Sequence, residues 1–235
     1  MKLPIQEAPT YEVELPLTKE NVIFRPFLVK EQRNLILARD EENTQTIFNA
    51  VSSLIQAVSN LRMNPLELPM VDLEYLFLQI RAKSVGETSE LALQCMECDE
   101  GVLRTKVDLE NIKLDQEDHS DTIIRISESL QVEFSYPTAK MLEKVGGKSE
   151  AESIKPMLMG CMVRIYDEEE IYELSDHPDS EIEKFVDSLT IDQFETITGF
   201  FANLPVLEEK VKYTCDNAEC RHEFEQTLRG LQNFF

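Results

Sequence analysis

Apolar residues at helical spacing dominate the first third of the chain. From Thr44 to Leu61, the residues Ile47, Val51, Leu54, Ile55 and Val58 recur every three or four positions, which is the stripe of an amphipathic helix that Asn64-Pro65 ends. A second helix is predicted from about Met70 to Ala82. There Val71, Leu73, Leu76, Phe77 and Ile80 make a broad apolar face directly after Pro69. A weaker helical period runs from Val29 to Arg39. The first 28 residues read as an extended arm: Pro4, Pro9, Pro16 and Pro26 exclude helix interiors, and Tyr11, Val13 and Leu15 alternate with Glu12 and Glu14.

After Gly86 the period shortens. Glu90 to Gln94, Val102 to Leu109, Ile123 to Ser127 and Leu130 to Tyr136 are short alternating or β-branched runs between acidic turns, the pattern of a small antiparallel sheet. Helical periods return at Thr138 to Val145, at Glu150 to about Ile165 with Pro156 inside, at Asp179 to Leu189, and at Ile191 to Asn203. The last of these opens on a Thr190-x-x-Gln193 capping box. Glu208 to Thr214 and His222 to Thr227 read as two closing strands. These breaks divide the chain into an arm (1–28), a helical segment (29–86), a β-rich segment (87–136), a helical insertion (137–204) and a C-terminal hairpin with an aromatic terminus (205–235). The fold class expected is α+β, mostly helical, with a small antiparallel sheet region carrying a split zinc-ribbon-like site.

The chemistry is concentrated in cysteines. Cys95-Met-Glu-Cys98 and Cys215-Asp-Asn-Ala-Glu-Cys220 each sit between predicted strands, and two or four intervening residues let both thiols of a pair turn back onto one ion. Together they are candidate ligands for a structural zinc, although 116 residues lie between Cys98 and Cys215. A redox pair, a disulfide, and four unconnected thiols are the alternatives. A site filled by four protein ligands has no position for a catalytic water, so zinc here would close a fold. His222, two residues past Cys220, is a possible substitute ligand. Cys161 stands among Met157, Leu158 and Met162, as a core thiol does, and His119 and His177 lie in acidic loops.

Composition then narrows the function. With 45 acidic and 23 basic residues the net charge is −22, which opposes binding to nucleic acid and to anionic membranes alike. No run approaches the roughly 20 apolar residues of a membrane span, and the N-terminus has no signal-like pattern, so a reducing cytosol is the expected compartment. Gly-rich phosphate loops and Gly-x-Ser-x-Gly elbows are absent, and no carboxylate pair stands out among so many, so no enzyme is expected. The acidity is uneven: residues 1–39 carry five acids and six bases. Arg25, Lys30 and Arg33 are therefore candidates, with Phe27, to reach an acidic neighbour. Phe234 and Phe235, at the apolar terminus, are candidate anchors for another subunit.

The Met-Lys-Leu-Pro opening, the run Arg25-Pro26-Phe27-Leu28-Val29-Lys30-Glu31, the two cysteine pairs and the Gly-Leu-Gln-Asn-Phe-Phe terminus together resemble the small baseplate hub proteins of T-even-type contractile-tailed bacteriophages. The resemblance spans nearly the whole chain in order. It implies a non-enzymatic structural or assembly role in the tail baseplate of the virion, with assembly in the host cytoplasm. The implied partners are other hub or tail proteins; the nearly neutral arm adds a further copy of the chain as a candidate partner. A zinc-dependent regulatory adaptor for transcription or repair machinery is the alternative from a different class.

Overall fold

The computed structural model describes residues 8–41, 43–98, 100–110, 112–115, 122–145 and 149–230. Seven helices and eleven strands follow one another among them. In chain order these are β1 (Tyr11–Glu14), β2 (Asn21–Phe24), α1 (Val29–Asp40), α2 (Thr44–Val58), α3 (Met70–Val85), β3 (Thr88–Gln94), β4 (Val102–Asp108), β5 (Lys113–Leu114), β6 (Ile123–Arg125), β7 (Gln131–Phe134), α4 (Ala139–Val145), α5 (Glu150–Cys161), β8 (Met162–Tyr166), β9 (Ile171–Glu173), α6 (Asp179–Ser188), α7 (Ile191–Ala202), β10 (Leu207–Cys215) and β11 (Glu223–Arg229).

The expectation of a mostly helical fold with a zinc-ribbon-like site is corrected. Among the described residues helix covers about two-fifths and strand over a quarter, in three antiparallel sheets. The extra strands come from three places. The arm folds into the β1–β2 hairpin, with Tyr11 opposite Phe24 and Glu14 opposite Asn21. The helical period predicted to run to Ile165 stops at Cys161, and Met162–Tyr166 becomes a strand between β7 and β9. Met162, Val163 and Ile165 fit a strand as well as a helix, and only pairing partners decide between them. The cysteines sit at one end of a five-stranded sheet that carries its own core, whereas a ribbon has too little core to stand alone.

The chain divides into two compact units. The first comprises residues 1–65, 71–115 and 206–235. Its five-stranded sheet runs β11-β10-β4-β3, with β5 also paired to β10. Val71, Leu78 and Ala82 of α3 pack with Leu103, Val107, Val211, Tyr213 and Leu228 of the sheet. The α3 helix is apolar almost all round and is buried accordingly, including Asp72, which is fully inaccessible. Its carboxylate accepts hydrogen bonds from Leu17 N–H (2.8 Å), Thr18 N–H (2.9 Å) and the Thr18 hydroxyl (2.7 Å), which fastens the turn of the β1–β2 hairpin to the helix. Leu15, Val22, Phe24 and Phe27 are buried, so the N-terminal hairpin is part of the core.

The second unit comprises residues 66–70 and 116–205, and its four-stranded sheet runs β6-β7-β8-β9. Phe134 of β7 is enclosed by Phe200 and Phe201 of α7, with ring centroids at 5.7 and 5.4 Å. The Thr190–Gln193 capping box forms as the sequence predicts, and Ser149–Glu152 makes a second one at α5. On the exposed side of the sheet, Glu133 accepts hydrogen bonds from Tyr166 and Arg164, which together hold its carboxyl below the usual range despite partial desolvation. Asp167–Glu170, an acidic run in sequence, is the turn of the β8–β9 hairpin, with Asp167 accepting from Glu169 and Glu170 N–H.

Replacing Asp72 by Ala leaves three donors of the hairpin turn without their acceptor and is expected to lower stability by about 2–3 kcal/mol. Urea denaturation measures this, and an unchanged midpoint would show that the carboxylate is not the tether.

Candidate metal centre

Both cysteine pairs lie in tight turns of the five-stranded sheet. Cys95 follows β3 and Cys98 precedes β4; Cys215 ends β10 and Cys220 closes the loop before β11. The sheet order places β4 beside β10, with Leu103 opposite Cys215 and Arg104 opposite Thr214. A separation of 116 residues in sequence thus becomes adjacency.

The four Sγ atoms lie within 4.8 Å of one another. Cys95 is 3.9 Å from Cys220, and Cys98 is 3.8 Å from Cys215. Thiolates at the ~2.3 Å bond length of a tetrahedral zinc site stand about 3.8 Å apart, so these two pairs have the spacing such an ion requires. All five cysteines of the chain are free thiols. Cys95 and Cys215 are fully inaccessible, while Cys98 and Cys220 are partly exposed, so the cluster sits at the surface end of the core.

Backbone and polar groups complete the cradle. Gly101 N–H donates to Cys98 Sγ at 3.4 Å, and the Asn217 amide approaches the same sulfur at 3.8 Å. Hydrogen bonds from the Glu100 and Gly101 backbone bring the Cys98 thiol down to about 7, the direction expected for a metal-binding thiolate. Burial pushes Cys215 up to about 12. Cys220 is also raised: a hydrogen bond from the His222 backbone lowers it, but desolvation and the neighbouring thiols outweigh that. Four thiols gathered at one point are the donor set of a soft metal site.

The two turns are also stitched directly. Val102 N–H donates to Asp216 Oδ1 at 2.8 Å, and Asp216 N–H returns a bond to Val102 carbonyl at 3.1 Å. Asn217 accepts from Glu219 N–H through its side chain and from Cys220 and Arg221 N–H through its carbonyl. Arg221 takes a left-handed conformation (φ 50°) that turns the chain from the loop into β11. Gly101 is required sterically: a Cβ there would stand 2.3 Å from Cys215 Sγ and 3.3 Å from Cys98 Sγ. Sequence reasoning missed Gly101, Asp216 and Asn217. For Gly101 a signal existed, since it is one of only seven glycines and lies three residues after Cys98.

The remaining candidates are dispersed. Cys161 is buried, its thiol pushed up to about 12 by desolvation and set 3.6 Å from Met141 Sδ, a core position. His222 is half-buried and outside the cluster, His177 pairs with Glu181 at 3.0 Å, and His119 lies outside the described residues. Phe27 is buried, and its N–H donates to Ser84. Arg25 is bound to its own chain through Glu31 (3.0 Å), Pro26 carbonyl and Ala57 carbonyl. Lys30 and Arg33 are exposed on α1, beside exposed Val29, Ile36 and Leu37. Phe234 and Phe235 lie outside the described residues. Among those described, no helix is long and apolar enough to cross a membrane.

The fold is α+β, with four thiols gathered at one end of the five-stranded sheet. The family model described as "T4 bacteriophage base plate protein" matches residues 8–235, and the chain belongs to that family. No curated protein and no solved structure matches it significantly. A baseplate protein is part of the virion tail and works through contacts with other tail proteins.

Replacing Gly101 by Ala is expected to push Cys215 out of the cluster and abolish metal retention, measured by metal analysis after gel filtration. Full retention would mean that the turn relaxes without disturbing the thiols.

Proposed function

We propose that this chain is a non-enzymatic structural or assembly component of the baseplate hub, held in its binding-competent shape by one structural zinc ion on Cys95, Cys98, Cys215 and Cys220. The observation that carries the metal reading is the gathering of the four sulfurs within 4.8 Å of one another, with the two cross pairs at 3.8 and 3.9 Å, near the ~3.8 Å edge of a tetrahedral thiolate site. Four protein ligands leave the ion no open position, so its role is to fix β4 against β10. Because the site does not exist in the unfolded chain, the binding free energy of the metal adds to folding, on the order of 10 kcal/mol for structural zinc. Bound as thiolates, the ligands and the ion together add further negative charge to an acidic body.

The hub assignment rests on family membership and on the resemblance of the opening, Arg25–Glu31 and C-terminal motifs to hub proteins. The family match favours this over a regulatory adaptor. Contact with neighbours falls to the exposed face of α1, where Lys30 and Arg33 accompany Val29 (83% exposed), Leu37 and Ile36. On a chain of net charge −22, this is an apolar surface with positive charges, suited to an acidic hub or tail partner.

Protein purified without chelator is expected to contain about one zinc per chain, and Cys95→Ser and Cys215→Ser are each expected to lose it and to melt earlier. Metal retained in both variants would refute the four-thiolate site. For the hub role, tagged protein recovered from infected cells is expected to carry hub proteins, and the double variant K30E/R33E is expected to lose them while melting as the wild type does. Recovery of wedge proteins alone would overturn the assignment. Deleting the first 28 residues would be no substitute, because it strips Leu15, Val22, Phe24 and Phe27 from the core.

A further inference from the structure

The second unit carries a cleft of about 270 Å³ that none of the preceding chemistry uses. It lies between the β8–β9 hairpin and α6, with Leu130, just before β7, in its lining. Ile165, Leu174 and Ile182 are buried members of that unit's core, while Leu130 and Phe185 are half-buried and pack against it. The spacing along α6 explains the division. Ile182 and Val186, four apart, turn into the core, and Phe185, one position off that line, borders the cleft.

The polar members of the lining are linked to one another. The Tyr172 hydroxyl donates to Asp167 Oδ2 at 2.9 Å, the Tyr172 ring stands 6.3 Å from the His177 ring, and His177 Nδ1 meets Glu181 Oε2 at 3.0 Å. Hydrogen bonds from Glu170 N–H, Glu169 N–H and the Tyr172 hydroxyl hold the Asp167 carboxyl below its usual range, so it is charged at neutral pH. His177 takes one of the two Glu181 oxygens. Among the described residues no Lys or Arg pairs with either carboxylate. In the same unit Lys155 is held by Glu183 and Asp187, and Arg164 by Glu133 and Glu173. The cleft therefore presents an apolar lining with two uncompensated acids and two aromatic rings.

We propose that this cleft receives an arginine side chain of a neighbouring tail protein, its stem against Leu130, Ile165 and Phe185 and its guanidinium at the Asp167 and Glu181 carboxylates. Size and charge select this occupant. The volume lies below the roughly 300–1,000 Å³ of small-molecule sites, so it suits one long side chain better than a cofactor. The acids repel phosphate and carboxylate ligands and attract a cation. A bare metal ion is not that cation, because among the described residues only the four cysteines converge as metal ligands. An arginine brings an aliphatic stem for the apolar lining, a planar fork that bonds carboxylates side by side, and a face that stacks on an aromatic ring such as Tyr172. A lysine offers only a point charge on its stem. The surface is the converse of α1, where Lys30 and Arg33 stand among exposed apolar residues. Each unit then has a contact surface of its own, and the two are of opposite sign. The class of partner follows from membership of the baseplate family; the inference is independent of both the metal and the hub readings.

Methyl-resolved NMR of the full chain at low ionic strength, titrated with the blocked tripeptide acetyl-Leu-Arg-Leu-amide, tests it. The peptide is expected to shift the methyl signals of Ile165, Leu174 and Ile182, with a dissociation constant on the order of 1 mM, as befits a single side chain. Acetyl-Leu-Gln-Leu-amide is expected to bind at least roughly tenfold more weakly. The near-isosteric double variant D167N/E181Q, whose remaining methyl signals report that it is folded, is expected to lose the preference for the Arg peptide. Equal binding of the two peptides to the wild type overturns the proposal, as does a wild type whose signals do not move, or a preference that survives in the double variant. Spermidine that shifts the same signals as strongly as the Arg peptide would make a free polyamine the ligand and overturn it too. Shifts of these signals with protein concentration alone would put a second copy in the cleft in place of another tail protein.

Discussion

The junction of β4 with β10 is the constraint on which the first unit depends. These strands lie far apart in sequence, and they meet over two opposed pairs, Leu103 with Cys215 and Arg104 with Thr214. Closing so long a loop has an entropic cost that a two-pair ladder does not offset by itself. Three further sets of contacts act at the same place: the reciprocal Val102–Asp216 hydrogen bonds, the shared core of Leu103, Val107, Val211 and Tyr213, and the convergence of four thiols. The thiols differ from the other two because their contribution depends on a cation. Without one, four sulfurs under 5 Å apart make only weak contacts with each other. With one, they make the strongest cross-link available to a chain without disulfides.

This arrangement explains how the second unit can be carried without disturbing the first. Residues 116–205 leave from the end of β5 and return at β10, and the strands flanking the departure and return are themselves paired, Leu114 with Leu207. Asp115 adds to this closure, its N–H donating to Val206 carbonyl and its carboxylate accepting from Val206 N–H. Each unit has its own sheet and its own apolar cluster, so the inserted residues fold around Phe134, Leu158 and Ile197 by local rules of their own.

Charge has a second role besides exclusion. On a strongly acidic chain, buried acids must be compensated, and the two most informative ones are. Asp72 is matched by three hydrogen-bond donors from the N-terminal hairpin. Glu31 is desolvated, which raises its carboxyl, but Leu28 N–H and Arg25 hold it below the usual range on balance. Asp72 ties the least acidic stretch of the chain to its acidic body, and Glu31 braces that stretch from within, so the extended arm is a docked element.

The amphipathic helices α2 and α3, the capping box at Thr190, the strands around both cysteine pairs and the clustering chemistry of the cysteines were legible because each is written in residues near one another. A stripe of apolar side chains or a Cys-x-x-Cys turn needs no knowledge of the rest of the fold. The β1–β2 hairpin, the switch from helix to strand at Met162, the docking of the arm on Asp72, and the roles of Gly101, Asp216 and Asn217 were not legible, because each depends on a partner that the sequence does not specify. Alternating residues in the arm could be an extended tail or a strand until Asn21–Phe24 is placed beside Tyr11–Glu14. Met162–Tyr166 has apolar residues that suit either period until β7 and β9 flank it. By itself the sequence determined the local elements and the supply of paired cysteines. Only the tertiary structure decided that four of those thiols share one point, because adjacency across more than a hundred residues is a property of sheet order, and sheet order is set by which strands bury which faces together.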